Sequence, residues 1–298
     1  MEIFKGENII DFMNRFPDDS SCLEYLSELK WGKGYKCVRC GHAKFTEKAN
    51  CCRVCTKCKH IESPTANTMF HKVKFGIRKA FCIVFEMSAT TKSLSSSQLS
   101  KRYTITRKTA WLFTHKVRTA MESKKAHPIT GKVHVDEFAI GGKEDLKPGR
   151  SKDAKKKKVV CAVELDENDK VRRVYAQCIP DYSSKSLRGI FDSHISKSAK
   201  VTTDEWTGYR PLAKEYDITQ VPSSNGTNFK QLHHIVHQVK SWVRTTYSWI
   251  HKEHTDKYLA EYSYRINRSI FKETIFHKLI ERMVNTKHVR YKDIIVCT

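Results

Sequence analysis

No stretch of this chain approaches the ~18 consecutive apolar residues that a membrane-spanning helix needs. The N-terminal MEIFKGENIIDFMNRF lacks the basic-then-apolar pattern of a secretory signal. These absences exclude membrane and secreted classes, so the expectation is a cytoplasmic protein in a reducing compartment. There, clustered cysteines mean metal more often than disulfide. No internal repeat occurs. Acidic residues are scarce: 32 Asp and Glu against 55 Lys and Arg, a formal charge of +23 and a pI near 9.6. No Asp or Glu occurs at all from Ile218 to Lys252. Such an excess draws polyanions with salt-dependent affinity, so nucleic acid is the expected partner. A merely solvated basic surface is the blander alternative.

What is present is concentrated. With 298 residues, the chain can hold two domains or one with a small appendage. Two Cys-x-x-Cys pairs, Cys37/Cys40 and Cys55/Cys58, stand fourteen residues apart. Each pair can offer two thiolates at a turn, and four thiolates complete a tetrahedral, structural Zn2+ site with no open position. Cys51 and Cys52 fit that spacing less well and read as incidental thiols; His42 and His60 are rivals the site does not need. The module's Lys36, Arg39, Lys44, Lys48, Arg53, Lys57 and Lys59 favour contact with DNA.

Apolar periodicity supplies the organisation. Short helices are expected in 1–30, the cysteine module in 31–65 and a helical region in 66–127, beginning with a buried helix over 70–87. A helix, a break at Tyr103-Thr104-Ile105 and a second helix capped by Thr106 follow. That pattern is similar to a helix-turn-helix, with Arg107, Lys108 and Trp111 facing DNA; an ordinary helical hairpin is the alternative. From Pro128 the pattern changes to strands over 132–140, 158–165 and 171–179, the last two a hairpin through Asp166–Asp169. Residues 143–158 read as a mobile polar loop, 184–197 as a helix, 200–203 as a short strand and 229–268 as helix-rich.

Two aspartates carry the chemistry. Asp136 sits inside an apolar strand, where an unpaired charge is costly unless it binds metal. Asp204 ends the short strand, before a turn packed by Trp206, Gly208 and Tyr209. Two carboxylates on neighbouring strands can hold Mg2+ or Mn2+ for phosphoryl transfer; their oxygens should then lie about 4–6 Å apart. Strand alternation points Glu137 and Glu205 away from their neighbours.

The motifs CVRCGHAKF, CTKCKHIESPTANTMFHKVKF, KTAWLFTHKVRTAM, HVDEFAIGGKE, TTDEWTGYRPL, LHHIVHQVKSWVR and YLAEYSYRINRS occur in this order. Across nearly the whole chain they resemble the zinc-ribbon insertion-sequence transposases of the ISXO-like group, related to Merlin elements. The resemblance implies an α/β (α+β) architecture: a zinc ribbon and helix-turn-helix, then an RNase H-like DDE-type domain over 128–285 and a tail over 286–298. It implies binding of double-stranded DNA at element ends and target, assembly as a homo-oligomer on DNA in the cytoplasm or nucleoid, and divalent-metal strand cleavage and transfer. The family's first two acids fall on Asp136 and Asp204. In the third slot this chain carries Gln238, with Lys240 after it, so a catalytically inactive DNA-binding remnant or regulator, or a nuclease that does not join strands, stays open. His233 and His237 could position a phosphate or act on a proton. Lys240 and Arg244, one helical turn apart, could grip phosphate, with Trp242 and Trp249 either stacking on a base or serving as core. Glu261 reads as a salt-bridge partner of Arg265 rather than a late third acid.

Overall fold

The computed structural model describes residues 2–6, 8–89, 92–123, 125, 127–141 and 156–295. Most of the polar loop expected at 143–158 lies outside them. Two compact units emerge, one of residues 1–121 with 268–298 and one of 122–267.

In the first unit, α1 (Ile9–Arg15) and α2 (Asp19–Trp31) are capped by Asn8 and Asp18, whose side chains accept backbone N–H groups at the helix starts. Phe4, Phe12, Phe16, Phe81, Phe85 and Phe276 meet edge-on or tilted, at centroid separations of 4.5–6.4 Å. This aromatic core joins α1 to α3 (Ile77–Ala89) and to the C-terminal α9 (Ile275–Asn285). The buried helix expected over 70–87 begins only at Ile77. Gly76, at φ +93°, turns the chain in a conformation that helices do not contain. Between α2 and α3 lies a three-stranded antiparallel ribbon of β1 (Phe45–Lys48), β2 (Cys52–Cys55) and β3 (Ile61–Glu62). Next come α4 (Ser96–Tyr103) and α5 (Arg107–Met121). A Ser95–Gln98 capping box opens α4, and Thr104 closes it in the left-handed region at φ 51°. Thr106 Oγ1 accepts from the Thr109 N–H and starts α5.

The second unit is built on β4 (Lys132–Ile140), β5 (Lys157–Leu165), β6 (Val171–Ile179), β7 (Lys200–Thr203) and β8 (Asp217–Gln220). Their order is β6-β5-β4-β7-β8, with β4, β5 and β6 antiparallel and β7 and β8 parallel to β4. α6 (Ser184–His194) makes the crossover from β6 to β7 and covers the face carrying Val133, Val135, Val160 and Ala162. α7 (Lys230–Thr246) and α8 (Thr255–Ile266) cover the face carrying Phe138, Ile140, Val159 and Val163. A mixed sheet of this order, with helices on both faces, is the RNase H-like arrangement that the resemblance implies. α10 (Tyr291–Ile295), in the first unit, ends the described chain.

Side chains from α8 close the exposed edge of β6. Asp256 Oδ1 accepts the Cys178 N–H at 2.6 Å, while Asn267 takes both backbone groups of Val174, at 2.7 and 3.0 Å. Backbone groups occupied in this way are withheld from pairing with another chain. Within α8, Glu261 is fully buried beside Arg265, with Nη1 3.7 Å from Oε1. Burial pulls the Arg265 pKa down and Glu261 opposes it. Removing one member of such a pair strands the other charge. Glu261→Ala is therefore expected to destabilise the second unit by about 3–5 kcal/mol, read from the urea midpoint of unfolding.

Candidate active site and metal centre

The ribbon cysteines converge. Cys37, Cys40, Cys55 and Cys58 place their sulfurs within 4.8 Å of one another, with Cys37–Cys58 and Cys40–Cys55 each at 3.6 Å. Zn–S bonds of about 2.3 Å at tetrahedral angles require sulfurs about 3.8 Å apart, so the four thiols fit zinc. The two halves repeat one device. Gly41 N–H donates to Cys37 O at 2.9 Å and Lys59 N–H to Cys55 O at 3.0 Å. Both residues at this corner are left-handed, Gly41 at φ +75° and Lys59 at φ +60°. For Cys55 the backbone N–H of Cys58, followed by that of Lys57, holds the thiol pKa below its usual value. Burial pushes the Cys37 thiol up, but the N–H groups of Arg39 and Cys40 outweigh it and bring it to about 6. Backbone donors thus favour the thiolate at Cys37 and Cys55, whereas at Cys40 the His42 N–H is outweighed by the Cys58 and Cys55 thiols and burial, which push that thiol up to about 12.

Neither His42 nor His60 joins the cluster. His42 Nε2 pairs with Thr56 Oγ1 at 3.0 Å, and Cys51 and Cys52 lie half-buried outside it. Lys36, Arg39, Lys44, Lys48, Lys57 and Lys59 are exposed, as the DNA-facing expectation needs. Arg53 is not. Its guanidinium lies 4.0 Å over the Phe45 ring and 4.5 Å over Trp31, holding the ribbon's small core together.

On α5, Arg107 and Lys108 are exposed in the first turn and Trp111 is half-buried against the His115 ring at 4.3 Å. The Lys108 ammonium sits 4.7 Å over Tyr291. Of the core face that periodicity assigns to this helix, Ala110, Phe113 and Val117 are buried and Leu112 is half-buried.

In the second unit, register brings the acids together. β7 runs parallel to β4 with Val135 opposite Thr203, so the next residue on each strand is Asp136 and Asp204. Their carboxylates and that of Glu137 offer oxygens all within 4.8 Å of one another. Glu137 thus departs from the expectation that strand alternation turns it away. β7 ends opposite Val135, which leaves the edge of β4 open beyond that point, and the longer Glu137 side chain reaches around it. Tyr209, buried behind the turn, donates its hydroxyl to Glu137 Oε2 at 2.7 Å. Burial, reinforced by that carboxylate, pushes the Tyr209 pKa far up, so the phenol keeps its proton and remains a donor.

The loop bearing Asp204 is fixed from below. Gln220 Nε2 donates to the carbonyls of Asp204 and Trp206 at 2.9 and 3.0 Å, and Trp206 Nε1 donates to Tyr182 O at 2.8 Å. A Cβ on Gly208 would come within 2.6–2.8 Å of Trp206 and of the Tyr182 carbonyl, so only glycine fits that corner. Asp204 Oδ1 accepts the Trp206 N–H at 3.1 Å and Asp136 Oδ1 the Glu137 N–H at 2.7 Å, which orients both carboxylates.

α7 lies over the same edge. His233 Nε2 stands 3.4 Å from Asp136 Oδ2. Lys240 shares that side: its ammonium lies 5.5 Å from the Phe138 ring, and partial burial lowers its pKa while Asp136 opposes the shift. Gln238 has hydrogen-bond partners of its own. Its Oε1 accepts from the Tyr262 hydroxyl at 2.9 Å and its Nε2 meets His234 Nε2 at 2.8 Å, a third of a turn or more around the helix from His233. Arg244 is exposed, Trp242 is core at 7% exposure, and Trp249 is 72% exposed with the Lys157 ammonium 4.8 Å over its ring. Glu261 lies in its ion pair and outside the acid group.

Three carboxylate oxygens within 4.8 Å suit a divalent ion, whose octahedral bonds of about 2.0–2.1 Å set neighbouring ligands about 3 Å apart and opposite ones about 4 Å apart. No described helix is long and apolar enough to cross a membrane. No curated protein matches the chain in sequence. Residues 128–267 match the family model of the ISXO2-like transposase domain. The span covers the five-stranded sheet, α6, α7 and α8, together with Asp136 and Asp204, and with the four-cysteine ribbon preceding it the chain carries an ISXO2-like DDE transposase domain at residues 128–267.

Proposed function

We propose that this protein binds the ends of a DNA element and catalyses strand cleavage and strand transfer with Mg2+ or Mn2+ held by Asp136 and Asp204. The observation that carries this reading is the strand register that sets those two carboxylates side by side with Glu137. Divalent ions in such a pocket activate a water or 3′-hydroxyl and neutralise charge on the scissile phosphate. The chain's own residues do the rest. Asp136 and Asp204 orient ligand oxygens from two rigid strands, Tyr209 holds Glu137 in place through its hydroxyl, and Lys240 presents a cation for phosphate. Glu137 supplies a third carboxylate from the strand, where α7 offers Gln238 in the family's third slot. Gln238 and Lys240 remain the family-based assignment for that slot.

DNA is held by exposed bases of the ribbon, by Arg107, Lys108 and Trp111 on α5, and by Lys240 and Arg244 on α7. The chain works as a homo-oligomer on DNA, in the cytoplasm or nucleoid. Each phosphate contact releases counterions and adds about 0.9 to the slope of log affinity against log salt. Arg107→Ala with Lys108→Ala should flatten that slope by about 1.8 for end-bearing duplexes, measured by fluorescence anisotropy over a salt series. An unchanged slope would place α5 off the DNA and leave it an ordinary hairpin helix.

The function is tested by incubating a labelled duplex bearing one element end with the zinc-loaded chain and Mg2+ or Mn2+. Nicking at the element boundary, absent with Asp204→Asn, supports the reading. Binding without nicking in either protein favours the DNA-binding remnant. Nicking without later joining to a target favours a nuclease.

A further inference from the structure

The side of Asp136 that faces α7 has its own donor. His233 Nε2 lies 3.4 Å from Asp136 Oδ2, while His233 stands outside the three carboxylates that group within 4.8 Å. A charge-assisted hydrogen bond between such groups closes to about 2.7–2.9 Å. Two neighbouring ligands of one octahedral ion stand about 3 Å apart, a little closer than this pair. At 3.4 Å His233 Nε2 directly faces Asp136 Oδ2, close enough for both to turn onto one ion.

The imidazole is also held from behind. Gly226 packs on it so closely that a Cβ there would lie 2.4 Å from His233 Nδ1, and Gly226 adopts φ +89° to do so. The Phe229 ring lies at 6.4 Å, tilted by 35°. Both hold the ring on the Asp136 side of α7, a placement an exposed surface histidine does not need.

We propose that His233 Nε2 is a ligand of a divalent ion shared with Asp136, filling with imidazole the place an acid on α7 would take, and that it biases the site toward Mn2+ over Mg2+. The proposal rests on the reading of Asp136 and Asp204 as the divalent-metal site. Asp136 would then be shared between the acidic group with Asp204 and the His233 side. The bias follows from donor type. Mg2+ takes oxygen ligands and sheds water reluctantly, whereas first-row transition ions accept imidazole nitrogen.

The test is electron spin-echo spectroscopy of Mn2+ added to the zinc-loaded full-length chain, with Mn2+ and Mg2+ affinities measured by titration. The expected result is a 14N coupling from bound imidazole that disappears in His233→Ala, with Mn2+ affinity falling at least about tenfold, the least that losing even an outer-shell partner of a metal ligand costs. His233→Glu restores a donor, so it should bind Mn2+ without 14N coupling and narrow the preference over Mg2+. That variant keeps the test decisive if the alanine variant folds poorly by circular dichroism. Mn2+ that binds through Asp136, as judged by Asp136→Asn, but shows no 14N coupling in the wild type overturns the His233 ligand and leaves the acidic site standing. A 14N coupling that survives His233→Glu overturns it too. Binding indifferent to Asp136→Asn overturns this proposal together with the metal-site reading beneath it.

Discussion

Asp136→Asn and Asp204→Asn are each expected to lower metal-dependent strand cleavage by about a thousandfold or more while leaving DNA binding within about twofold. The size follows from what the carboxylates do. Metal-based stabilisation of charge in the transition state contributes several kcal/mol, and each 1.36 kcal/mol is a factor of ten in rate. The change from carboxylate to amide is nearly isosteric, so the orienting contacts from the Glu137 and Trp206 N–H groups, at 2.7 and 3.1 Å, can persist on the remaining oxygen. What is lost is the negative charge that binds the ion. Tyr209→Phe offers a graded contrast. It removes the 2.7 Å donor to Glu137 without touching either aspartate, so a much smaller loss is expected. Gel-resolved cleavage rates and anisotropy binding curves on the same duplex separate the two effects. Equal loss of binding and cleavage in the Asn variants would make the aspartates structural.

Removing the zinc has the second large effect, and a local one. The ribbon's apolar interior amounts to Trp31, Tyr35, Cys37 and Cys55, with Phe45 and Cys58 packed against them. So small a core does not fold unaided. Structural zinc in such modules contributes about 10–16 kcal/mol of apparent binding free energy. Chelation, or Cys55→Ser, is therefore expected to abolish amide-exchange protection in β1, β2 and β3 while β4 and β5 keep theirs. Cys52→Ser is the control, because Cys52 lies outside the cluster and should keep full zinc content. Ribbon amides that stay protected after the metal is stripped would contradict a zinc-dependent fold.

Much of this was legible in the chain itself, for identifiable reasons. The four cysteines repeat one turn chemistry, which spacing alone reveals. Alternation marks β4, and apolar content marks β5 and β6, to within a residue. Asp136 and Asp204 stood out because a charge in or beside a buried strand demands a reason. Other features depend on what lies across space. Glu137 joins the acids beside the end of β7, a neighbourhood that strand alternation along β4 alone does not reveal. β8 has Ile218 as its sole large apolar residue and is a strand through its pairing with β7. Arg53 resembled a DNA contact until the Phe45 and Trp31 rings were placed around it. His233 and Gln238 are both polar residues of α7, and periodicity alone does not say which side lies over Asp136. The sheet decides that, through the burial of Leu232, Ile235, Val236 and Val239.

The central claim is that the paired aspartates join DNA strands. Its most direct test is strand transfer from a supercoiled plasmid carrying the matching element ends, in Mg2+ and in Mn2+, with wild type beside Asp136→Asn. The account predicts joined products with the wild type and none with the variant. No joined product from a wild-type chain that still binds the ends would contradict it and leave a DNA-binding remnant.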